Sequence, residues 1–137
     1  MPVVDASIVV DWVAPDADPD GPALSLLRRL AAEGAEVLAP RLLIEEVSNA
    51  LLTGVRRRRW TGTDADRAFE HLATLPITLA DVADDIARAW DLARRYDEHP
   101  IYDLVYVALA HRLGSSLLTA DARLVARLRL PVLTLVT

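Results

Sequence analysis

Short apolar runs alternate with stretches of helical period from one end of this chain to the other. Residues 2–5, 36–39, 77–79, 116–119 and 131–136 are brief and apolar, too short to be buried helices, and read as strands. Between them, residues 6–13 carry Ile8, Val9, Trp12 and Val13 on one side, and residues 22–32 open on Pro22 and stop at Gly34. Residues 40–58 repeat Leu43, Val47, Ala50, Leu51 and Gly54 as a buried stripe. Thr63 with Asp66 predicts a capping pair for a helix ending near residue 75, and Asp81 begins one ending near residue 96. Pro100 sets a boundary, because the residue before a proline avoids helical backbone. Residues 101–113 then form a largely apolar helix ended by Gly114, and residues 122–128 a short one. Such regular alternation predicts an α/β domain whose mostly parallel sheet is covered by helices on both faces.

At 137 residues the chain suits one compact domain, and no repeat, linker or low-complexity tract divides it. With 53% of its residues hydrophobic it can bury a substantial core. There is no cysteine, which excludes disulfides, thiolate zinc sites and cysteine nucleophiles. The N-terminus has no basic stretch, Asp5 and Asp11 interrupt its first apolar run, and no apolar segment approaches the ~20 residues that span a bilayer. The expectation is a soluble, cytoplasmic protein. The net charge of −5 argues against a simple electrostatic nucleic-acid binder, but not against an enzyme that reaches phosphates through metal ions.

In open parallel sheets, ligands gather at the carboxyl ends of the strands. Asp5 closes the first predicted strand, Asp121 follows the fourth, Asp103 falls in the first turn after Pro100, and Glu46 lies in the long helix after the second strand. Four acids from four separated segments are thus expected to meet on one rim. Each has an ordinary alternative: a helix N-cap for Asp121, a favourable dipole for Asp103, plain solvation for Glu46. Asp5, flanked by apolar residues, is harder to explain without a partner. Glu45 competes with Glu46, but Glu46, Asn49 and Thr53 form a polar stripe beside the apolar one, so Glu46 is preferred.

Clustered carboxylates repel one another unless a cation intervenes. Oxygen-only ligands suit hard ions, and His71, His99 and His111 lack zinc-ligand spacing, so magnesium or manganese is the expected cofactor. Such a site hydrolyses phosphodiesters without a protein nucleophile, because the metal activates water and stabilises charge on the attacking and leaving oxygens. Asp5 and Asp103 would hold the first ion; Asp121 and Glu46 would complete it, hold a second or orient the water. Ser7, Asn49 and Thr119 are candidates for contacts to metal-bound waters or phosphate, with ordinary capping as the alternative.

Arg56, Arg57, Arg58 and Arg59, followed by Trp60, form the one basic cluster. Arginines grip phosphates and a tryptophan stacks on unpaired bases, which would guide RNA. The alternative is arginine favoured by a helix C-terminus with Trp60 packing at the turn. Asp16-Ala17-Asp18-Pro19-Asp20-Gly21 opens like a calcium loop, but Leu27 stands where the closing glutamate belongs, so calcium is rejected there.

Four segments also resemble PIN-domain nucleases, most closely the VapC toxins of bacterial toxin–antitoxin pairs: Val3-Val4-Asp5-Ala6-Ser7; Leu43-Ile44-Glu45-Glu46-Val47-Ser48-Asn49-Ala50-Leu51; Tyr102-Asp103-Leu104-Val105-Tyr106-Val107-Ala108-Leu109-Ala110; and Leu117-Leu118-Thr119-Ala120-Asp121. The resemblance covers essentially the whole chain. It implies a PIN-like three-layer α/β/α sandwich over residues 1–137, with Asp5, Glu46, Asp103 and Asp121 as the magnesium-binding catalytic set. It also implies a metal-dependent endoribonuclease acting on structured RNA, a homodimer, and a VapB-type antitoxin partner. Many relatives carry serine or threonine just before the tyrosine–aspartate pair, where this chain has His99-Pro100-Ile101.

Two other readings compete. A phosphoacceptor signalling domain shares the length and the strand-end acids, but relies on a lysine; all 15 basic residues here are arginine. A catalytically silent PIN module binding RNA or protein is the remaining alternative, although silent members usually lose some of the acids.

Overall fold

The computed structural model describes residues 1–96 and 100–137. Five strands, β1 (Val3–Val4), β2 (Val37–Ala39), β3 (Ile77–Leu79), β4 (Leu117–Thr119) and β5 (Leu133–Leu135), pair in the order β3-β2-β1-β4-β5, every pairing parallel. Val3 of the central strand lies opposite Leu38 on one side and Leu117 on the other.

Around the sheet, among the described residues, lie α1 (Ala6–Val13), α2 (Pro22–Ala32), α3 (Leu42–Arg56), α4 (Gly62–Leu72), α5 (Ala83–Arg95), α6 (Ile101–Leu113) and α7 (Ala122–Leu128). Successive strand residues point to opposite faces, and Val3 and Val4 are both fully buried. Helices therefore cover both faces at β1, each valine contributing about 1.5–3 kcal/mol by burial. At one edge of the sheet, β3 is largely exposed.

The helix α6 is buried nearly all round, through Leu104, Tyr106, Val107, Ala108, Leu109 and Ala110, as its apolar composition requires. It stops at Gly114, which takes a left-handed φ of 62° suited to glycine. On α3 the stripe Leu43, Val47, Leu51 and Gly54 is buried, with Ala50 at its margin.

Three helices differ in their bounds from the sequence reading. The hydroxyl of Thr61, not Thr63, caps α4, accepting from the Asp64 N–H at 3.1 Å. The helix expected to start at Asp81 begins at Ala83, because the Asp81 carboxylate accepts from the Arg41 N–H at 2.8 Å and so serves the start of α3 instead. That long helix itself runs from Leu42 to Arg56, short of the expected 40–58 at both ends. Arg58 beyond it takes a positive φ of 58°, which continued α-helix does not permit.

Between α5 and α6, buried Asp85 and partly exposed Arg112 form an ion pair, with Nε–Oδ1 at 2.8 Å and Nη2–Oδ2 at 3.1 Å. The same guanidinium donates to the Ala80 carbonyl at 2.7 Å, fastening the end of β3 to both helices. Among the described residues, no helix is long and apolar enough to cross a membrane.

Candidate active site

Chain order 1-2-3 runs outward from β1 in one direction and then resumes at β4 on its other side. The strand order therefore reverses between β1 and β4, the place where ligands settle in sheets of this kind. Asp5 follows β1 directly and Asp121 lies just beyond β4, so both stand at the carboxyl ends of the two strands flanking the reversal. The Asp5 N–H donates to the Leu118 carbonyl at 2.9 Å, tying the strand ends together.

Although Asp5 occupies the N-cap position of α1, its carboxylate does not cap that helix. Its Oδ2 instead accepts from the Thr119 hydroxyl at 2.7 Å and the Ser7 hydroxyl at 3.0 Å. Each hydroxyl then accepts in turn: Thr119 from the Asp121 N–H and Ser7 from the Ala120 N–H, both at 3.0 Å. Asp5 is 7% exposed. Burial raises its pKa, these hydrogen bonds partly offset that rise, and the nearby Asp121 charge adds to it.

Asp121 also caps α7, its Oδ1 accepting from the Arg123 and Leu124 N–H groups at 3.0 and 3.2 Å. Asp103 sits in the first turn of α6, with Tyr106 one turn on and so on the same side of the helix. Of the neighbouring glutamates on α3, Glu45 is exposed while Glu46 is half-buried with Oε1 fully enclosed. Burial raises the Glu46 pKa; Tyr106 works against the rise, and Asp5 and Asp103 add to it. The phenol lies near enough to Glu46 for a hydrogen-bonding influence on its carboxylate, although the Tyr106 hydroxyl and Glu46 Oε1 do not reach full hydrogen-bond geometry with any partner. Burial first, then Glu46, Asp5 and Asp103, push the phenol's own pKa up.

The four acids are thus linked by charge: Asp5 feels Asp121, and Glu46 feels both Asp5 and Asp103. The donor set of Asp5, Glu46, Asp103 and Asp121 is oxygen alone, as magnesium and manganese prefer. Among the described residues, no three acidic or histidine side chains stand close enough to hold an ion without moving.

The other candidates divide. Ser7 and Thr119 bracket Asp5. Asn49 is exposed on α3, where its carbonyl accepts from the Thr53 hydroxyl. Arg56, Arg57, Arg58 and Arg59 are exposed, and Arg59 is held by Asp16 at 2.7 Å. Trp60 corrects the expectation of a base-stacking ring. It is 8% exposed, its indole N–H donates to the Leu51 carbonyl at 2.9 Å, and its face packs on Gly54, where a Cβ would overlap the ring. A ring so enclosed has no face to offer a base; only its Arg59 neighbour stacks over it, 4.8 Å from the centroid. His99 lies outside the described residues. Tyr106 was missed from the sequence because it reads as one more core residue; its three-residue spacing from Asp103 was the available signal.

A parallel sheet with acids gathered at its central strand ends is the architecture of a PIN domain, and residues 3–129 match the family of that description. The chain belongs to the PIN-domain family. It is 35% identical over 122 residues to ribonuclease VapC3 of Mycobacterium tuberculosis, spanning 89% of this chain and 83% of the relative. To a VapC ribonuclease of Mycobacterium bovis it is 34% identical over 124 residues, 90% of this chain and 88% of that one. Among solved structures, VapC20 of Mycobacterium tuberculosis, described as a sarcin-ricin loop cleaving toxin, superposes with a TM-score of 0.67 at 21% identity, covering 92% of this chain and 94% of that one. A chain of a toxin–antitoxin complex from Klebsiella pneumoniae gives 0.64 at 18% identity over 98% and 96%. These two likenesses speak for the fold.

Proposed function

We propose that this chain is the toxin of a type II toxin–antitoxin pair, a magnesium- or manganese-dependent endoribonuclease whose 137 residues act as one PIN domain. The observation that carries this reading is the set of mutually repelling acids near the β1–β4 reversal, Asp5 buried and Glu46, Asp103 and Asp121 partly exposed, in a chain whose curated relatives are VapC ribonucleases. Asp5 and Asp103 would hold the ion, with Glu46 and Asp121 completing the set. A bound divalent ion supplies an activated water and neutralises charge at the scissile phosphate.

The protein's own part is placement. Thr119 and Ser7 hold the Asp5 carboxylate by two hydrogen bonds, so a loose side chain does not have to be ordered when phosphate arrives. Asp121 is fixed by its cap bonds to α7. The summed negative charge of these carboxylates repels RNA phosphate until cations offset it. Structured RNA is the proposed substrate, cut in the cytoplasm, and Arg56, Arg57 and Arg58 are proposed to steer its backbone.

A VapB-type antitoxin is the proposed partner, inserting an arginine among the acids to offset their charge. We also propose a homodimer. Val82, Ile86 and Trp90 lie at four-residue spacing along α5 and its start, and all three are largely exposed, an apolar stripe suited to a second copy.

Incubation of the purified protein with total RNA and Mg2+ or Mn2+ tests the central reading. Cutting that EDTA abolishes, and that Asp103→Asn loses, is expected. RNA binding without cutting under any metal would instead make this a silent module. Expression in bacteria should slow growth, with relief by Asp5→Asn.

A further inference from the structure

We infer that Tyr106 is a positioning residue of the acid site, its phenol donating a hydrogen bond to Glu46 and fixing that carboxylate beside Asp5 and Asp103. The inference rests on the metal-site reading above and extends it to a residue that reading does not use. Tyr106 is 1% exposed, in the middle of α6. Its hydroxyl and Glu46 Oε1 are both buried and both lack a hydrogen-bond partner. Buried polar groups are almost always paired, so two unpaired ones in mutual electrostatic contact are matched donor and acceptor.

Chemistry sets the direction of the bond. A phenol keeps its proton at neutral pH and can donate, whereas an ionised glutamate can only accept. Packing alone does not explain the hydroxyl, since phenylalanine would fill the same core space without burying a polar atom. Because Tyr106 stands one helical turn from Asp103, a bond to Glu46 links α6 to α3 across the acids. Rotation of the two side chains into hydrogen-bond geometry would restrict the glutamate to one orientation, and partners of that kind orient metal ligands.

The test measures Mn2+ affinity by titration calorimetry on the antitoxin-free full chain, for wild type, Tyr106→Phe, Glu46→Ala and the double variant, with melting temperature as the fold control. Tyr106→Phe is expected to weaken Mn2+ by about 10-fold, in line with loss of a ligand's hydrogen-bond partner, while melting no lower than wild type. In the Glu46→Ala background the same substitution is expected to add nothing, because its effect passes through the glutamate. Unchanged Mn2+ affinity in Tyr106→Phe overturns the inference while leaving the metal site intact. Equal weakening with and without Glu46 overturns it too, since the phenol would then act by packing. Wild-type protein that takes up no Mn2+ removes the metal-site reading, and this inference with it.

Discussion

The Thr119 hydroxyl donates to Asp5 Oδ2 at 2.7 Å and accepts from the Asp121 N–H at 3.0 Å, so one side chain at the end of β4 ties together two acids 116 positions apart in the chain. It is fully buried, and nothing but protein can replace those bonds. Thr119→Val keeps the shape and removes both. The expected outcome is a loss of about 1–3 kcal/mol in denaturant unfolding, together with a fall in RNA cleavage. Thr119→Ser should retain most of both. Wild-type stability in the valine variant would show that the hydroxyl organises nothing.

Burial raises the folded-state pKa of Asp5 and Glu46 above the ordinary carboxylate range. Well below about pH 4 these acids are protonated in folded and unfolded chains alike, so they impose no penalty. As pH rises through the higher folded pKa, the folded state must ionise buried carboxylates, and stability is lost. Metal-free Glu46→Gln should therefore melt about 2–4 °C above wild type at pH 7 and no higher than it well below about pH 4. Added Mn2+ should stabilise wild type more than the variant. A lower melting temperature for the metal-free variant at pH 7 would contradict the electrostatic account.

Asp85 behaves in the opposite sense. Burial opposes its charge, but hydrogen bonds from Arg112 and the Val82 N–H, with the Arg112 and Arg88 charges, outweigh that and lower its pKa. Its contribution is present above about pH 4 and is lost as pH falls through the depressed value. Arg112→Ala leaves the buried acid only the Val82 N–H and the Arg88 charge, and is expected to cost about 3 kcal/mol at pH 7, read from urea unfolding. Asp85→Leu with Arg112→Met should recover much of that loss, because an apolar pair needs no charge balance. Failure of Arg112→Ala to destabilise would mean the pair is solvated.

The basic run divides into a structural and a free part. Trp60→Phe should lower the melting temperature, because the bond to the Leu51 carbonyl goes and packing on Gly54 worsens, and leave RNA affinity unchanged. Replacing Arg56, Arg57 and Arg58 with alanine should do the reverse, weakening RNA binding. Filter binding across salt concentrations checks this, the slope of log affinity against log salt falling by about 0.7 for each phosphate that is no longer neutralised. An unchanged slope would leave those arginines a solvent role.

The strands were legible as short apolar runs, because a parallel sheet is covered on both faces, and most helices by their 3.6-residue period, with α1, α2, α6 and α7 close to the bounds expected. The missed boundaries depend on distant partners: Asp81 reads as the start of α5, yet its carboxylate serves Arg41, 40 residues earlier. The Asp85–Arg112 pair, 27 residues apart, leaves no local pattern. Asp5 stood out because an acid among valines needs a reason. Trp60 left two readings open, because the four arginines before it suggest a solvent-facing surface while a turn invites packing, and only the fold decides for packing, with the indole enclosed over Gly54. Tyr106 was hidden by the apolar residues around it, since its hydroxyl matters only through Glu46 on another helix.

Anomalous diffraction from crystals of the antitoxin-free protein soaked in Mn2+ tests the shared-cation claim most directly. The account predicts an anomalous peak at the β1–β4 reversal, with oxygens of both Asp5 and Asp103 at about 2.0–2.4 Å. A peak elsewhere, or none in crystals that cleave RNA, would contradict it.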